Sequence, residues 1–179
     1  NNCPDLIFSY FAVLYCGGII VQNNPMYKEN EFNYQLEDSG AEFLVIENKL
    51  LDSLLGFERI VDHIIVSRVE EHEKYTTLQS LINNGSESFP AVPLSPQKDV
   101  AVLQYTGGTT GKSKGVKLSH YNLVSNVIQT DKFIGVHCEN GKEKILNVLP
   151  LFHVYGMTVS MNYCFYKQST LYLVERFNP

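Results

Sequence analysis

Apolar runs and amphipathic stretches alternate along the first half of the chain, and each predicts a different element. Residues 4–16 are apolar nearly all round and predict an internal helix packed between layers; a proline suits its first turn and a Gly-Gly pair its left-handed exit. Residues 28–38 predict an amphipathic helix whose buried side carries Phe32, Tyr34 and Leu36. Short apolar runs predict strands at 19–21, 42–46 and 59–66.

A further helix is predicted at 49–55, with Asn48 as its N-cap. Strand and helix then alternate with short connections, which is typical of parallel strands joined by crossover helices. The predicted fold class is therefore layered α/β, with mainly parallel sheets flanked by helices. Residues 85–98 are rich in Gly, Ser and Pro, and we interpret them as an exposed linker between a first α/β unit, 1–84, and a second unit, 99–179.

The second unit opens with a predicted strand at 99–105 that runs directly into a glycine-rich loop. A second short strand at 115–118 and a helix from 119 onward are predicted to follow the loop. Farther along, the pattern predicts a strand at 144–149, a helix at 158–166 and a strand at 170–174.

The loop at 106–115 has the composition of an anion-binding segment. It holds Gly107, Gly108, Gly111 and Gly115, together with three threonines, one serine and two lysines, and it has no carboxylate. Glycines let a backbone take positive φ and approach a ligand closely, so that N–H groups, hydroxyls and ammonium groups converge on phosphate oxygens. A polyphosphate is therefore the predicted ligand.

Two other interpretations of this loop are weaker. The P-loop pattern requires a glycine five residues before Gly111, where this chain has Thr106, and it requires a helix directly after the lysine instead of a short strand. An ordinary polar hairpin turn needs only about two residues to join its strands, and it has no need of a Gly-Gly-Thr-Thr-Gly sequence.

Composition and charge narrow the class of protein. The chain has 179 residues, 44% of them hydrophobic, and a net charge of −5 with its Lys and Arg residues scattered singly; this argues against a nucleic-acid partner, which would be met by clustered basic residues. The four cysteines show no metal-ligand spacing and are expected to be reduced thiols of a cytoplasmic protein, with Cys16 and Cys164 in its core. No Met begins the chain, and we expect a piece of a longer protein.

The segment from Tyr105 to Val116, followed by Ser119-His120, resembles the signature of the adenylate-forming enzymes: acyl-CoA synthetases, luciferases and peptide-synthetase adenylation domains. Their segment reads Tyr-Thr-Ser-Gly-Thr-Thr-Gly-x-Pro-Lys-Gly-Val. Here Gly107 replaces the usual Ser, a variant associated with bacterial long-chain fatty-acid–CoA ligases. Ser113 replaces the usual Pro, which frees a backbone N–H and is expected to loosen the loop. Residues 2–50 also resemble a segment of the acyl-CoA synthetases, and the role of that segment in the family is architectural.

The resemblance implies a set of site residues. ATP phosphates would be bound by Thr106, Gly107, Gly108, Thr109, Thr110, Gly111 and Lys114, with Thr106 also near Mg²⁺ and Lys114 catalytic. A second motif, Pro150 to Met157, resembles the family's acyl-binding segment and implies that His153 lies beside the acyl adenylate in a catalytic and substrate-binding role. The same motif implies that Val154, Tyr155 and Gly156 border the acyl tunnel.

The implied reaction joins a fatty acid to coenzyme A at the expense of ATP, giving AMP and pyrophosphate. Its substrates are small molecules, and the resemblance leaves the oligomeric state and peripheral contact with a membrane open. The family's later motifs and its C-terminal domain do not occur in these residues, so we expect a partial large domain that is inactive alone. The alternatives are a non-catalytic nucleotide- or phosphate-binding module, an aryl-acid ligase and a peptide-synthetase adenylation domain.

Overall fold

The computed structural model describes residues 1–53, 56–89, 91–107 and 112–175, and all structural statements below concern these residues. The helices are α1 (Pro4–Tyr15), α2 (Glu29–Ser39), α3 (Leu78–Asn84), α4 (His120–Ile134) and α5 (Tyr163–Tyr166). The strands are β1 (Ile20–Val21), β2 (Phe43–Glu47), β3 (His63–Ser67), β4 (Thr76–Thr77), β5 (Val100–Thr106), β6 (Lys114–Ser119), β7 (Lys144–Asn147) and β8 (Thr170–Leu173).

These strands form three small sheets, ordered β1-β5-β6, β2-β3-β4 and β7-β8. Every pairing is parallel except that of β5 with β6, which form an antiparallel hairpin. The prediction of a layered α/β fold with mainly parallel strands is confirmed. Because β1 pairs with β5, one sheet joins chain segments on either side of 85–98. The proposed division into two units at that segment stays a prediction.

A first apolar core lies between α1, β5 and the C-terminal part of the chain. Its buried members are Ile7, Tyr10, Ala101, Val102, Leu123, Leu151, Met157 and Met161. The prediction that α1 is internal is wrong within these residues: only Ile7 and Tyr10 of this helix are buried, and Phe8 is 57% exposed. A helix that is apolar on all sides can be buried on all sides. Whether a second layer actually covers it depends on tertiary structure, which the local pattern does not show.

A second core lies between α2 and the sheet β2-β3-β4. Phe32 and Leu36 of α2 pack there against Leu44, Ile46, Phe57 and Val61. The amphipathic prediction for this helix is confirmed for Phe32 and Leu36, and Gly40 ends the helix at a φ of 65°. Tyr34 is only half-buried, and its hydroxyl donates to the carbonyl oxygen of Ser113 instead of joining this core.

Several local predictions differ from the structure. The predicted helix at 49–55 is a 3₁₀-helix, Asn48–Ser53, in which Asn48 is the first residue and not a cap. The strand predicted at 59–66 is shorter, since Phe57–Arg59 forms a 3₁₀ turn before β3. Cys16 is exposed, whereas Cys164 is buried as predicted. Strand β4 and helix α3 follow a charged run that carries no helix-like or strand-like periodicity, so the sequence did not indicate them.

The helix predicted at 158–166 begins earlier and is wound differently. Gly156–Asn162 is a π-helix that continues into α5. Gly156 packs so closely on the carbonyl oxygen of Pro150 that a β-carbon there would collide with it. A residue with any side chain would therefore displace the turn that leads from Pro150 into the π-helix.

The side chain of Asn2 fixes the backbone before this turn. Its amide nitrogen donates to the carbonyl oxygens of Leu149 (2.9 Å) and Val174 (3.0 Å), and its oxygen accepts from the N–H of Leu151 (2.8 Å). Asn2 is only 7% exposed, so water cannot easily replace these bonds. One buried amide thus joins the chain's beginning to two distant segments.

We expect Asn2→Ala to lower the free energy of unfolding by about 2–4 kcal/mol, because it leaves buried backbone groups without partners. Asn84→Ala is the matched control, since it removes an exposed amide that bonds to the Ser80 carbonyl within its own helix. Urea unfolding measures both. Equal small losses for the two variants would contradict the assigned role of Asn2.

Candidate functional site

The glycine-rich loop connects the two strands of the hairpin. In the antiparallel register Thr106 lies opposite Lys114, at the point where the strands end and the loop begins. The predicted residues Gly108, Thr109, Thr110 and Gly111 lie outside the described residues. The predictions that can be located are Thr106, Gly107 and Lys114, and all three are exposed at this end of the hairpin.

The described end of the hairpin carries positive charge and donors. Lys112 and Lys114 are both exposed here, and so is Thr106, which pairs with Lys114 in the register. The ammonium nitrogen of Lys112 lies 4.9 Å from the ring centroid of Tyr34, within the range of a cation–π contact. The arrangement suits a polyanion, which needs N–H, hydroxyl and ammonium donors in one place.

Ser113 joins the two strands where they enter the loop. Its hydroxyl donates to the carbonyl oxygen of Thr106 over 2.7 Å. The sequence predicted that a serine in place of the usual proline would loosen the loop. That prediction missed this bond, which a proline cannot make and which holds the two ends together.

Tyr105, the residue before the loop, is held by a carboxylate from α2. Its hydroxyl donates to Oδ2 of Asp38 over 2.6 Å, and the residue is 8% exposed. Burial first, and then the bond to Asp38, raises the pKa of the Tyr105 hydroxyl well above its usual range. Tyr105 therefore stays a hydrogen-bond donor at neutral pH.

Glycine has a different role at each end of the loop. Neither Gly107 nor Gly115 has a positive φ, contrary to the general expectation for glycines in this loop. A β-carbon on Gly115 would lie 3.1 Å from the ring of Tyr105, so any residue other than glycine would require the ring to shift by a few tenths of an ångström. A β-carbon on Gly107 would meet no atom of the described residues within 4 Å.

Helix α4 starts directly after the hairpin and has a strong N-terminal cap. Ser119 accepts the N–H of Asn122 (3.2 Å), and Asn122 accepts the N–H of Ser119 in return (3.0 Å). The N–H of His120 points to the carbonyl oxygen of Asp99 at 3.4 Å. This geometry fits a structural role for His120, which fixes where β6 ends and α4 begins.

The second predicted segment, around His153, is exposed. Nδ1 of His153 accepts the N–H of Tyr155 at 3.3 Å, which fixes the ring against its own backbone. Val154 (40%) and Tyr155 (54%) are exposed apolar residues, while Gly156 is buried. Such a surface is available for an apolar ligand.

Gln104 connects this segment to the hairpin. From β5 its side-chain nitrogen lies 3.4 Å from the carbonyl oxygen of Phe152, the residue before His153. Gln104 is also two residues before Thr106 on the same strand. The structure thus links the two predicted parts of the site through β5, a link the sequence did not indicate.

Sequence reasoning also missed Tyr34 and Asp38. Both lie on α2, far from the loop in sequence, and only the fold brings them to Ser113 and Tyr105. Their spacing of four residues was the available signal, because it places two polar side chains together on one face of a helix.

Two observations bear on which groups the described residues could hold. Within the described part of the chain, no group of three or more His, Cys, Asp or Glu side chains is placed to hold a metal. Mg²⁺ prefers oxygen ligands and commonly arrives with substrate phosphates. At this site it would have the Thr106 hydroxyl and the phosphate oxygens of a bound nucleotide. No helix among the described residues has the length and apolar character needed to cross a bilayer.

The described end of the hairpin is exposed and cationic and lies on a layered α/β scaffold, which suits the binding of a nucleotide. The chain matches the AMP-binding enzyme family over residues 1–179, and it belongs to that family. It is 33% identical over 205 residues to a long-chain-fatty-acid–CoA ligase of Bacillus subtilis (strain 168), covering 99% of this chain and 36% of that protein.

Solved structures give the same result for the fold. A crystal structure of a long-chain-fatty-acid-CoA ligase from Archaeoglobus fulgidus matches with a TM-score of 0.87 and 31% identity, over 99% of this chain and 34% of that one. The ATP-bound structure of MatB from Rhodopseudomonas palustris matches with a TM-score of 0.80 and 23% identity, over 99% of this chain and 34% of that one. The chain thus spans about a third of the length of these relatives.

The two glycines at the ends of the loop give a direct test of this geometry. We expect Gly115→Ala to lower the free energy of unfolding by about 1–2 kcal/mol, because the Tyr105 ring is fixed by Asp38 and cannot move away easily. Gly107→Ala is the control and should change it by less than about 0.5 kcal/mol. Urea unfolding distinguishes them; a Gly115→Ala protein as stable as wild type would show that the ring is free to shift.

Proposed function

We propose that this chain forms the ATP-phosphate-binding part of an AMP-forming acyl-CoA ligase acting on long-chain fatty acids. The observation that carries the proposal is the exposed hairpin end, where Thr106, Lys112 and Lys114 gather donors and positive charge. Membership of the AMP-binding enzyme family supports the use of ATP. The Bacillus and Archaeoglobus ligases, both above 30% identity, support the choice of a long-chain fatty acid.

The proposed reaction has two steps. A carboxylate oxygen of the fatty acid attacks the α-phosphorus of ATP, the bond from that phosphorus to the bridging oxygen breaks, and pyrophosphate leaves. The sulfur of coenzyme A then attacks the acyl carbon, the thiol proton is lost to solvent, the bond from that carbon to the phosphate oxygen breaks, and AMP leaves. Negative charge builds on the pyrophosphate oxygens during the first step, and fixed cationic donors stabilise it most strongly in the transition state.

Residues of the hairpin would meet this charge. Lys114 is placed at the start of β6, and the pairing of this strand with β5 fixes the backbone from which its side chain extends. Thr106 lies opposite it and offers a hydroxyl to a phosphate oxygen or to Mg²⁺ held by the phosphates. We include Gly107, Gly108, Thr109, Thr110 and Gly111 in the proposed phosphate site, of which only Gly107 is described.

The second segment would receive the acyl group. We propose that His153 lies beside the acyl adenylate, and that Val154, Tyr155 and Gly156 border the path of the acyl chain. The exposed apolar surface of Val154 and Tyr155 supports this, since a hydrocarbon chain gains about 0.8 kcal/mol for each methylene it buries. The link from Gln104 to Phe152 would keep this surface in a fixed relation to the phosphate loop.

We further propose that the reaction needs parts of the protein outside these 179 residues, since the relatives are about three times as long as the matched region. Coenzyme A binding and the other contacts to ATP are assigned to those parts. The chain alone would then bind the triphosphate weakly and would not make acyl-CoA.

Lys114→Ala should lower fatty-acid-dependent ATP–pyrophosphate exchange by the full-length protein about 100-fold, because one donor to the leaving group is lost. Lys117→Ala is the matched control: it removes an exposed lysine from the same strand and should leave the rate within about twofold. Equal rates for wild type and Lys114→Ala would remove this lysine from the mechanism.

The acid specificity is tested by the same exchange assay with palmitate, acetate, benzoate and the amino acids. Palmitate should give the highest kcat/KM. A preference for benzoate or for an amino acid would replace the proposed ligase with another adenylate-forming enzyme, and exchange with none of the acids would favour a binding module.

A further inference from the structure

One face of α2 lies against both ends of the phosphate loop. Tyr34 and Asp38 are four residues apart on this helix, so their side chains project from the same face. Asp38 contacts Tyr105, the residue before the loop, and Tyr34 contacts Ser113, the residue before Lys114. Neither α2 residue lies in the loop motif.

On the β5 side, the contact is a short hydrogen bond to a charged acceptor. The Tyr105 hydroxyl donates to Asp38 over 2.6 Å, and such charge-assisted bonds are about twice as strong as neutral ones. The Tyr105 ring in turn lies against Gly115 of β6. A single carboxylate on α2 therefore restrains both strands of the hairpin.

On the β6 side, the Tyr34 hydroxyl donates to the carbonyl oxygen of Ser113 over 2.9 Å. The hydroxyl of Ser113 bonds across to Thr106, and the ammonium group of Lys112 lies over the Tyr34 ring. Three independent contacts thus meet at Tyr34 and Ser113, and they fix the backbone from which Lys114 starts.

We propose that Tyr34 and Asp38 are positioning residues that hold the two ends of the loop in the geometry a nucleotide triphosphate needs. They act through Ser113 and Tyr105 and do not touch the ligand. The inference rests on the proposed function, because it assigns the loop to ATP. Its physical basis is preorganisation: donors that are fixed before the ligand arrives cost no reordering when it binds.

Three variants of the full-length protein test this positioning role: Tyr34→Phe, Tyr105→Phe and Asp38→Ala. Tyr34→Phe and Tyr105→Phe each remove one hydroxyl and keep the ring. Tyr75→Phe is the matched control, because it removes a tyrosine–carboxylate bond of similar length, 2.7 Å to Glu58, in another part of the fold. Asp38→Asn is the conservative variant, since it keeps an oxygen acceptor for Tyr105.

The first measurement is hydrogen–deuterium exchange without nucleotide. Backbone amides of residues 112–119 should exchange about 3- to 10-fold faster in the three variants than in wild type or Tyr75→Phe. The second measurement is pyrophosphate exchange. The KM for ATP should rise about 3- to 10-fold in the same variants, with the KM for palmitate within about twofold, and Asp38→Asn should recover part of the loss.

Faster amide exchange together with a higher KM for ATP alone would support the proposal. Unchanged amide exchange would overturn it, since the contacts would then hold nothing. Faster amide exchange with an unchanged KM for ATP would also overturn it, because the loop ends would then move without any effect on nucleotide binding. A wild-type protein that shows no ATP–pyrophosphate exchange would instead refute the proposed function. The deuterium measurement would still decide whether Tyr34 and Asp38 hold the two ends of the loop.

Discussion

The hydrogen bond from Tyr105 to Asp38 is the interaction on which the candidate site depends. It holds the end of β5 against α2, and the Tyr105 ring lies so close to Gly115 of β6 that a β-carbon there would be 3.1 Å from it. The strands of the hairpin are therefore restrained by a helix as well as by their own backbone pairing. The two strand ends therefore present Thr106 and Lys114 from fixed backbone positions.

The wider fold brings together segments that are distant in sequence. Strand β1 pairs with β5, so the first apolar core includes residues from the start, the middle and the end of the chain. Asn2 then bonds to the backbone of Leu151, and Gln104 bonds to the backbone of Phe152. These two residues directly precede His153. The strand end that leads into the proposed phosphate-binding loop and the proposed acyl-binding segment are consequently supported by the same core.

Elements with a clear period or a strong stop signal could be predicted from the sequence. Helix α2 was found to within one residue at each end, because Phe32 and Leu36 share a helical face and Gly40 provides the left-handed exit. Strands β5 and β6 were also found, since an apolar run and a glycine-rich loop mark their junction. The loop's composition also led to the prediction of a polyphosphate ligand without any knowledge of the fold, and that stays a prediction.

Other features depend on tertiary contacts and could not be predicted in this way. The exposure of Phe8 and Cys16 depends on which layers cover α1. The contacts of Tyr34 and Asp38 with the hairpin span 79 and 67 residues, and local patterns carry no information about such pairs. The Ser113 hydroxyl donates to the carbonyl oxygen of Thr106, a bond that the family's usual proline could not make. The sequence could not indicate this bond, because it depends on the hairpin bringing the two residues together.

The central claim is that the hairpin end binds the triphosphate of ATP, and a crystal structure of the full-length protein with ATP and Mg²⁺ tests it most directly. The account predicts β- and γ-phosphate oxygens within hydrogen-bond distance, about 3 Å, of the Thr106 hydroxyl and the Lys114 ammonium group. It also predicts that Tyr34 and Tyr105 keep their bonds to Ser113 and Asp38. A nucleotide bound elsewhere, with no phosphate oxygen near either Thr106 or Lys114, would contradict it.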